Sequence, residues 1–252
     1  MKKTVFITGA TSGIGKATAI LFAEKGFNLV ICGRRADRLL ALQEQLSAVV
    51  AVHTLCFDVS KRAEVANAIA TLPQSFQQIH ILINNAGNAH GLAPIDKGNV
   101  DDWDNMIDIN VKGLLYITRA IVPCMVDTQN GHIINVGSIA GKEVYANGNV
   151  YNASKYAVDA LGKGMLLDLN PHGIRVSNIN PGLVATEFSL VRFKGDETRA
   201  ETVYKGYEPL TAEDIAETIY WVAARPAHVN ISDLTILPTA QASATTVKKQ
   251  LL

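Results

Sequence analysis

Cysteine is scarce in this chain of 252 residues: Cys32, Cys56 and Cys124 are scattered, with no C-x-x-C pair. That excludes a disulfide framework and offers no zinc-finger spacing. Each sits in an apolar run and reads as a small core residue in a reducing compartment. Charge of one sign is also lacking. Lys+Arg and Asp+Glu are 23 each and the formal net charge is +0, so the basic footprint of a nucleic-acid binder is missing. No stretch approaches about 18 uninterrupted apolar residues, so no membrane span is expected. Met1-Lys2-Lys3 carries the charge of a signal peptide, but the apolar run behind it breaks at Thr8-Gly9. The six histidines, His80, His90 and His172 among them, lack metal-ligand spacing, and no metal is expected. What remains is 48% hydrophobic and only 18% charged, ample for a buried core. These features together predict a soluble, cytoplasmic, globular protein.

Short β-branched runs alternate with longer amphipathic stretches. Strands are predicted at 4–8, 29–32, 51–56, 79–84, 133–136, 175–180 and 234–237. Helices are predicted at 14–25, 36–47, 61–71, 101–126, 151–169 and 212–224, with Pro123 bending or ending the fourth. Trp103 and Trp221 lie on these helices and read as packing residues. Strands alternating with helices imply right-handed crossovers and one parallel sheet covered on both faces. The fold class is therefore α/β, a doubly wound sheet in one domain over 1–252. A polar segment spans 182–209. The tail after Pro238 is small and polar, an arm or a frayed end.

The first strand runs into Thr8-Gly9-Ala10-Thr11-Ser12-Gly13-Ile14-Gly15, where a helix begins. Glycines there let the backbone turn sharply and approach a ligand, and the helix N-terminus offers free N–H groups to a pyrophosphate. A P-loop is excluded, because Ala10 replaces its first glycine and Ala17 the magnesium-binding hydroxyl. A ligand-free turn would need only one glycine. The second strand ends at Cys32-Gly33-Arg34-Arg35. An acid at this tip would suit the 2′-hydroxyl of NAD; two arginines suit a 2′-phosphate, and NADP is the expected cofactor. Asp58, at the third strand tip, could take the adenine amino group or cap the next helix. Asn84-Asn85-Ala86-Gly87 suits a tight turn that supports the cofactor.

Tyr151-Asn152-Ala153-Ser154-Lys155 carries the chemistry. Residues i and i+4 share a helical face. A free phenol has a pKa of about 10, and a nearby ammonium would lower it. A phenol so tuned can exchange a proton with a carbonyl oxygen while hydride reaches carbon. Ser138, after the fifth strand, can hold the same oxygen. Its surroundings, Gly137-Ser138-Ile139-Ala140-Gly141, are not a G-x-S-x-G nucleophile elbow, which gives a serine hydrolase no support.

These residues resemble the short-chain dehydrogenase/reductase family in order and spacing: TGATSGIG at 8–15, Asp58, NNAG at 84–87, Asn110 in DINVKG, Ser138, Tyr151 with Lys155, and Pro181-Gly182. The resemblance spans nearly the whole chain. It implies a seven-stranded Rossmann sheet ordered 3-2-1-4-5-6-7. It implies Tyr151 as catalytic acid/base, Ser138 as the substrate-orienting hydroxyl, Lys155 on the nicotinamide ribose and Asn110 supporting a proton-relay water. The cofactor would meet Gly9, Thr11, Ser12, Gly13, Ile14, Gly15, Arg34, Arg35, Asp58, Val59, Asn85, Ala86 and Gly87. Pro181, Gly182, Val184 and Thr186 would lie near its nicotinamide end. The family often forms tetramers, and a homotetramer is expected.

The stretches Glu187-Phe188-Ser189, Val191 to Asp196 and Pro226 to Ile231 resemble the NADP-dependent 3-hydroxy acid dehydrogenases, a group that includes serine and L-allo-threonine dehydrogenases that also reduce malonic semialdehyde. Arg192 or Lys194 would then bind a substrate carboxylate, and 182–209 would be the substrate lid. A carbonyl or 3-oxoacyl reductase is the alternative, and a non-catalytic NADP-binding regulator another. Departures from the pattern occur at Lys142-Glu143-Val144 and in Gly182 to Thr186, which is one residue shorter than expected.

Overall fold

Seven short apolar runs meet side by side in the computed structural model, which describes residues 2–250. The first and last positions of the expected domain, Met1, Leu251 and Leu252, lie outside the described residues. The strands are β1 (Thr4–Thr8), β2 (Asn28–Gly33), β3 (Val52–Cys56), β4 (Ile81–Asn84), β5 (His132–Val136), β6 (Arg175–Pro181) and β7 (Asp233–Ile236). They pair in parallel in the order β3-β2-β1-β4-β5-β6-β7, as expected. The order reverses between β1 and β4, so their connections leave in opposite directions and open a crevice at the carboxyl ends. Thr8 pins that edge: its hydroxyl accepts from the Asn85 N–H at 2.9 Å and the Ala86 N–H at 2.8 Å.

The helices are α1 (Gly13–Glu24), α2 (Ala36–Ser47), α3 (Arg62–Ala70), α4 (Val100–Ile107), α5 (Leu114–Thr128), α6 (Asn149–Leu169), α7 (Phe188–Arg192), α8 (Glu197–Tyr204) and α9 (Ala212–Ala223). Side chains alternate across each strand, so β1 sends Val5 and Ile7 to one layer and Phe6 to the other. The first layer packs under α1, α2 and α9, and the second under α3, α5 and α6.

One expected helix is three pieces. Between α4 and α5 the chain makes a wide π-helical turn over Asp108–Gly113. Pro123 does not end α5, which runs on to Thr128; Ile117, Ile121 and Met125 hold its inner face on the sheet. Within Val100–Thr128 an 18-residue window has mean hydropathy 1.3, and the helix is by length and composition able to cross a membrane, yet this inner face is part of the core. Segment 182–209 contains α7 and α8. The tail is docked: Gln241 is buried and accepts from the Leu183 N–H at 2.9 Å, and the Gln250 N–H reaches the Gly206 carbonyl at 2.8 Å. Two core expectations fail. Cys56, at the end of an edge strand, is exposed, and so is Trp221, which faces out from α9.

A row of buried asparagines crosses the second face. Asn84, Asn135 and Asn178 are in register on β4, β5 and β6. The Asn84 amide donates to Asn135 Oδ1 and to Thr118, and the Asn135 amide donates to Asn178 Oδ1 at 3.0 Å. Asn178 in turn donates to the Asp159 carbonyl on α6. Burying an amide is costly unless it is paired, and in this row the Asn84 Oδ1 alone is buried without a partner. Asn135→Ala removes the middle of the row and strands a donor and an acceptor. It is expected to lower unfolding free energy by about 2–4 kcal/mol in a urea titration, with Leu82→Val, a neighbouring apolar trim, costing about 0.5–1.5 kcal/mol.

Candidate active site

The glycine loop is shaped by contacts that tolerate no side chain. Gly9 has φ +67°, and a Cβ on Gly15 would lie 2.3 Å from the Gly9 carbonyl oxygen. β1 therefore packs directly against the start of α1. Ser12 caps α1 without a side-chain hydrogen bond, so the first-turn N–H groups of α1 point into the crevice. Arg35 folds over the same loop. It donates to the Thr11 hydroxyl through Nε at 3.1 Å and Nη2 at 2.9 Å, and to Ser12 Oγ at 2.7 Å. Arg34 extends outward, 3.6 Å from Asp58.

The crevice holds about 330 Å³. Among the residues singled out in the sequence, it is lined by Gly9, Thr11, Ser12, Gly13, Ile14, Arg34, Arg35, Asp58, Val59, Asn85, Ala86 and Gly87 at one end. Ser138, Tyr151, Lys155, Pro181, Gly182, Val184 and Thr186 line the other. Gly15 lies behind the wall, where it spaces β1 from α1. Asp58 Oδ1 accepts the Ser60 N–H at 2.9 Å, while the capping position of α3 belongs to Lys61. Backbone N–H groups, a guanidinium and two hydroxyls at one end suit a phosphorylated dinucleotide.

Ser138, Tyr151 and Lys155 converge because β5 ends beneath the first turns of α6. Lys155 is buried and donates to the Val136 carbonyl at 3.0 Å. Burial with no carboxylate beside it pushes its amine down to about 8. Tyr151 is also buried. Desolvation and the Tyr145 phenol beside it push its hydroxyl up to about 12, against the opposing pull of Arg192 and the Ser138 hydroxyl. The sequence reading gave the opposing charge to Lys155. Here Lys155 lies 5.9 Å from the Tyr151 ring centroid and is turned to a carbonyl, and Arg192 is the cation acting on the phenol. Asn110 sits inside the π-helical turn, behind the crevice. Its Oδ1 accepts the Asn88 N–H at 2.8 Å, and its amide donates to the Asn88 carbonyl and to Ser154 Oγ. Ser154 donates to the Tyr151 carbonyl at 2.8 Å, so Asn110 braces the backbone of Tyr151.

The two cations assigned to a substrate carboxylate separate. Arg192 closes over Tyr151, its guanidinium carbon 4.9 Å from that ring centroid and 5.0 Å from Phe188. Nη2 donates to the Tyr145 hydroxyl at 2.7 Å, and Nε is buried without a partner. Lys194 does not join it. Positive φ at Lys194 and Gly195 turns the chain outward, and the ammonium pairs with Asp102 at 2.9 Å. Sequence reasoning missed Tyr145, Asn88 and Arg38. Tyr145 lies in an irregular loop whose composition carries no signal. Arg38, one turn along α2, reads as a solvated helix residue, yet it meets Glu187 at 2.7 Å. Among the described residues no group of three or more His, Cys, Asp or Glu side chains is placed to hold a metal ion.

Residues 3–196 match the family model described as short chain dehydrogenase. The chain is 47% identical over 241 residues to an NADP-dependent 3-hydroxy acid dehydrogenase of Salmonella typhi, covering 95% of this chain and 96% of that one. It is 43% identical over 244 residues to the serine 3-dehydrogenase of Agrobacterium fabrum, covering 97% of each. Its structure is similar to the closed form of a serine dehydrogenase complexed with NADP+, with TM-score 0.92, 44% identity and coverage of 98% and 100%.

Lys155 gives a stability test. Its folded pKa of about 8 lies below the ordinary 10.5, so between these values the unfolded chain binds more protons and stability rises with pH. Tyr151 acts oppositely above its ordinary value of 10.0, since the folded protein keeps the proton up to about 12. Burial also raises the Cys32 and Cys124 thiols above their ordinary 9.0, so the folded chain keeps these protons and they oppose the rise above about pH 9. The urea midpoint is therefore expected to climb from pH 8 towards pH 9, flatten, and fall above pH 10. Lys155→Met is expected to abolish the climb, which urea titrations at stepped pH will check.

Proposed function

We propose, since this chain belongs to the short-chain dehydrogenase family, that it is an NADP-dependent oxidoreductase interconverting a small 3-hydroxy acid and its 3-oxo counterpart. Serine, L-allo-threonine and 3-hydroxypropionate represent the class. The observation that carries this reading is one guanidinium, Arg192, stacked on the buried phenol of Tyr151 at the end of a phosphate-cradling crevice. The names of the relatives support the substrate class and the cofactor.

In this reading the glycine loop and the α1 N-terminus hold the pyrophosphate, with Asn85 and Gly87 supporting the turn beside it. Arg35, with Arg34, takes the 2′-phosphate, and Asp58 and Val59 border the adenine. Lys155 bonds the nicotinamide ribose, and Pro181 to Thr186 flank that end. NADP, when bound, supplies or accepts the hydride. Tyr151 carries the proton: a buried neutral phenol is a ready donor to a carbonyl oxygen during reduction, and the base when it has lost that proton. Ser138 donates to the same oxygen. Asn110 holds Tyr151 in place and supports a relay water. Arg192 binds the substrate carboxylate, which sets the reacting carbon at a fixed distance from its anchor. Segment 182–209 serves as the lid that excludes water.

The whole chain, 1–252, is read as one catalytic domain acting on a small molecule in the cytoplasm. A homotetramer is the proposed assembly, with no nucleic-acid or membrane partner.

The test is reduction of NADP, and of NAD for comparison, with L-serine, L-allo-threonine, 3-hydroxypropionate, 2-propanol and a 3-hydroxyacyl thioester. Turnover of the 3-hydroxy acids with NADP is expected. Turnover confined to the neutral alcohol or the thioester would move the protein to the carbonyl or 3-oxoacyl reductases. Arg192→Met removes one charge-assisted bond of about 1.5–3 kcal/mol, so kcat/KM for the acids is expected to fall roughly 10- to 150-fold. Neutral carbonyl substrates are expected to lose far less.

A further inference from the structure

The arginines at the mouth of the crevice already hold an anion, and it belongs to the lid. Glu187, the residue before α7, gives one carboxylate oxygen to each of two guanidiniums. Oε2 accepts from Arg35 Nη1 at 2.8 Å and Oε1 from Arg38 Nη1 at 2.7 Å. These hydrogen bonds hold Glu187 below the usual carboxylate range, the Arg35 bond being the largest influence. Arg35 has five N–H donors. Three are spent on Thr11 and Ser12 and one on Glu187, which leaves one. The Thr11 and Ser12 hydroxyls accept from Arg35, and their own protons remain available to an anion. Thus the site that can recognise a phosphate is preassembled, and its charge is neutralised from within.

We propose that Glu187 is an internal competitor for the 2′-phosphate site, and that Arg38 is a further guanidinium of that site, beside Arg35 and Arg34. A phosphate monoester engaging Arg35 and Arg38 displaces the Glu187 carboxylate, because two anions on the same donors repel and neither is fully paired. Occupation of the phosphate site and attachment of the lid at α7 are then linked, each weakening the other. Glu187 thereby sets the margin between phosphorylated and unphosphorylated dinucleotides. It acts through Arg35 and Arg38, and is a positioning residue. The inference rests on the NADP reading above.

Two nucleotides that differ only in phosphate position separate the parts without catalysis. Binding of 2′-AMP and 5′-AMP is measured by calorimetry on the intact enzyme, on Glu187→Gln and on Glu201→Gln, which removes the same charge from the exposed face of α8. Exposed ion pairs are individually weak, so Glu187→Gln is expected to tighten 2′-AMP about three- to tenfold while 5′-AMP changes by less than about twofold. Glu201→Gln is expected to change neither. Amide hydrogen exchange gives the second readout: 2′-AMP is expected to accelerate exchange over 188–194 in the wild type, and not in Glu187→Gln. Unchanged or weaker 2′-AMP binding in Glu187→Gln overturns the proposal, as does slower exchange over 188–194 on adding 2′-AMP. Failure of the wild type to prefer 2′-AMP over 5′-AMP overturns the NADP reading with it. A fall in 2′-AMP affinity in Arg38→Met is expected; no change removes Arg38 from the site.

Discussion

Two ionisable side chains one helical turn apart, Tyr151 and Lys155, are buried at the foot of α6, and the surrounding structure is arranged around that cost. Burial works against charge on both: it drives the amine down and the phenol up. A site of this kind stays folded only when its backbone neighbours take the polar atoms. The Val136 carbonyl takes the ammonium, and the Asn110–Ser154 chain takes the backbone of Tyr151. Both supports come from strand and helix ends on the far side of the switch point, where β4 and β5 deliver them. The asparagine row below ties those strands together, so the sheet carries its own polar strut under the reacting groups.

The same logic explains why Arg192 matters beyond any ligand. A guanidinium over an aromatic face is attracted by the ring and, close to a phenol, favours its ionised form. Arg192 stacks on Tyr151 and Phe188 and hydrogen-bonds Tyr145. Its charge is thus delivered to the phenol from the lid side, whereas the charge of Lys155 is diverted into the strand. An anion bound to Arg192 would offset that pull and strengthen the hold of Tyr151 on its proton, which favours the donor state when the carbonyl form of a carboxylate substrate is bound.

Much of this was legible from residue order. Glycine requirements are local: Gly9 needs positive φ and Gly15 needs room, and both are visible in the motif. Helical spacing puts Tyr151 and Lys155 on one face. Alternating runs and the handedness of crossovers implied a parallel sheet covered on both faces, whereas the strand order came from the family resemblance. What stayed hidden depends on distant partners. The π-helical turn over Asp108–Gly113 has no compositional mark, and its inward Asn110 was found only through its motif. Which acceptor Lys155 reaches is decided by β5, not by α6. Tyr145 and Arg192 are 47 positions apart, and Arg38 and Glu187 are 149 apart, too far for any pattern within a helix or strand to signal. Cys56 misled because an apolar run at a sheet edge looks like one in the middle; only its place at the end of β3 exposes it.

The two ends of the crevice meet on one short element, α7. Glu187 precedes it and faces the arginines at the glycine-loop end of the crevice; Arg192 closes it and faces the phenol at the other. The six residues from Glu187 to Arg192 therefore carry one acidic and one basic side chain turned to opposite ends of the crevice. At a rise of about 1.5 Å per residue, α7 is a rigid spacer shorter than a dinucleotide. An element that small moves as a unit, so a displacement forced at Glu187 must be felt at Arg192. If the proposed phosphate and carboxylate sites are both occupied, an anion acts on each end of this segment, and Phe188, the first residue of α7, ties it to the Tyr151 ring at 5.6 Å between centroids.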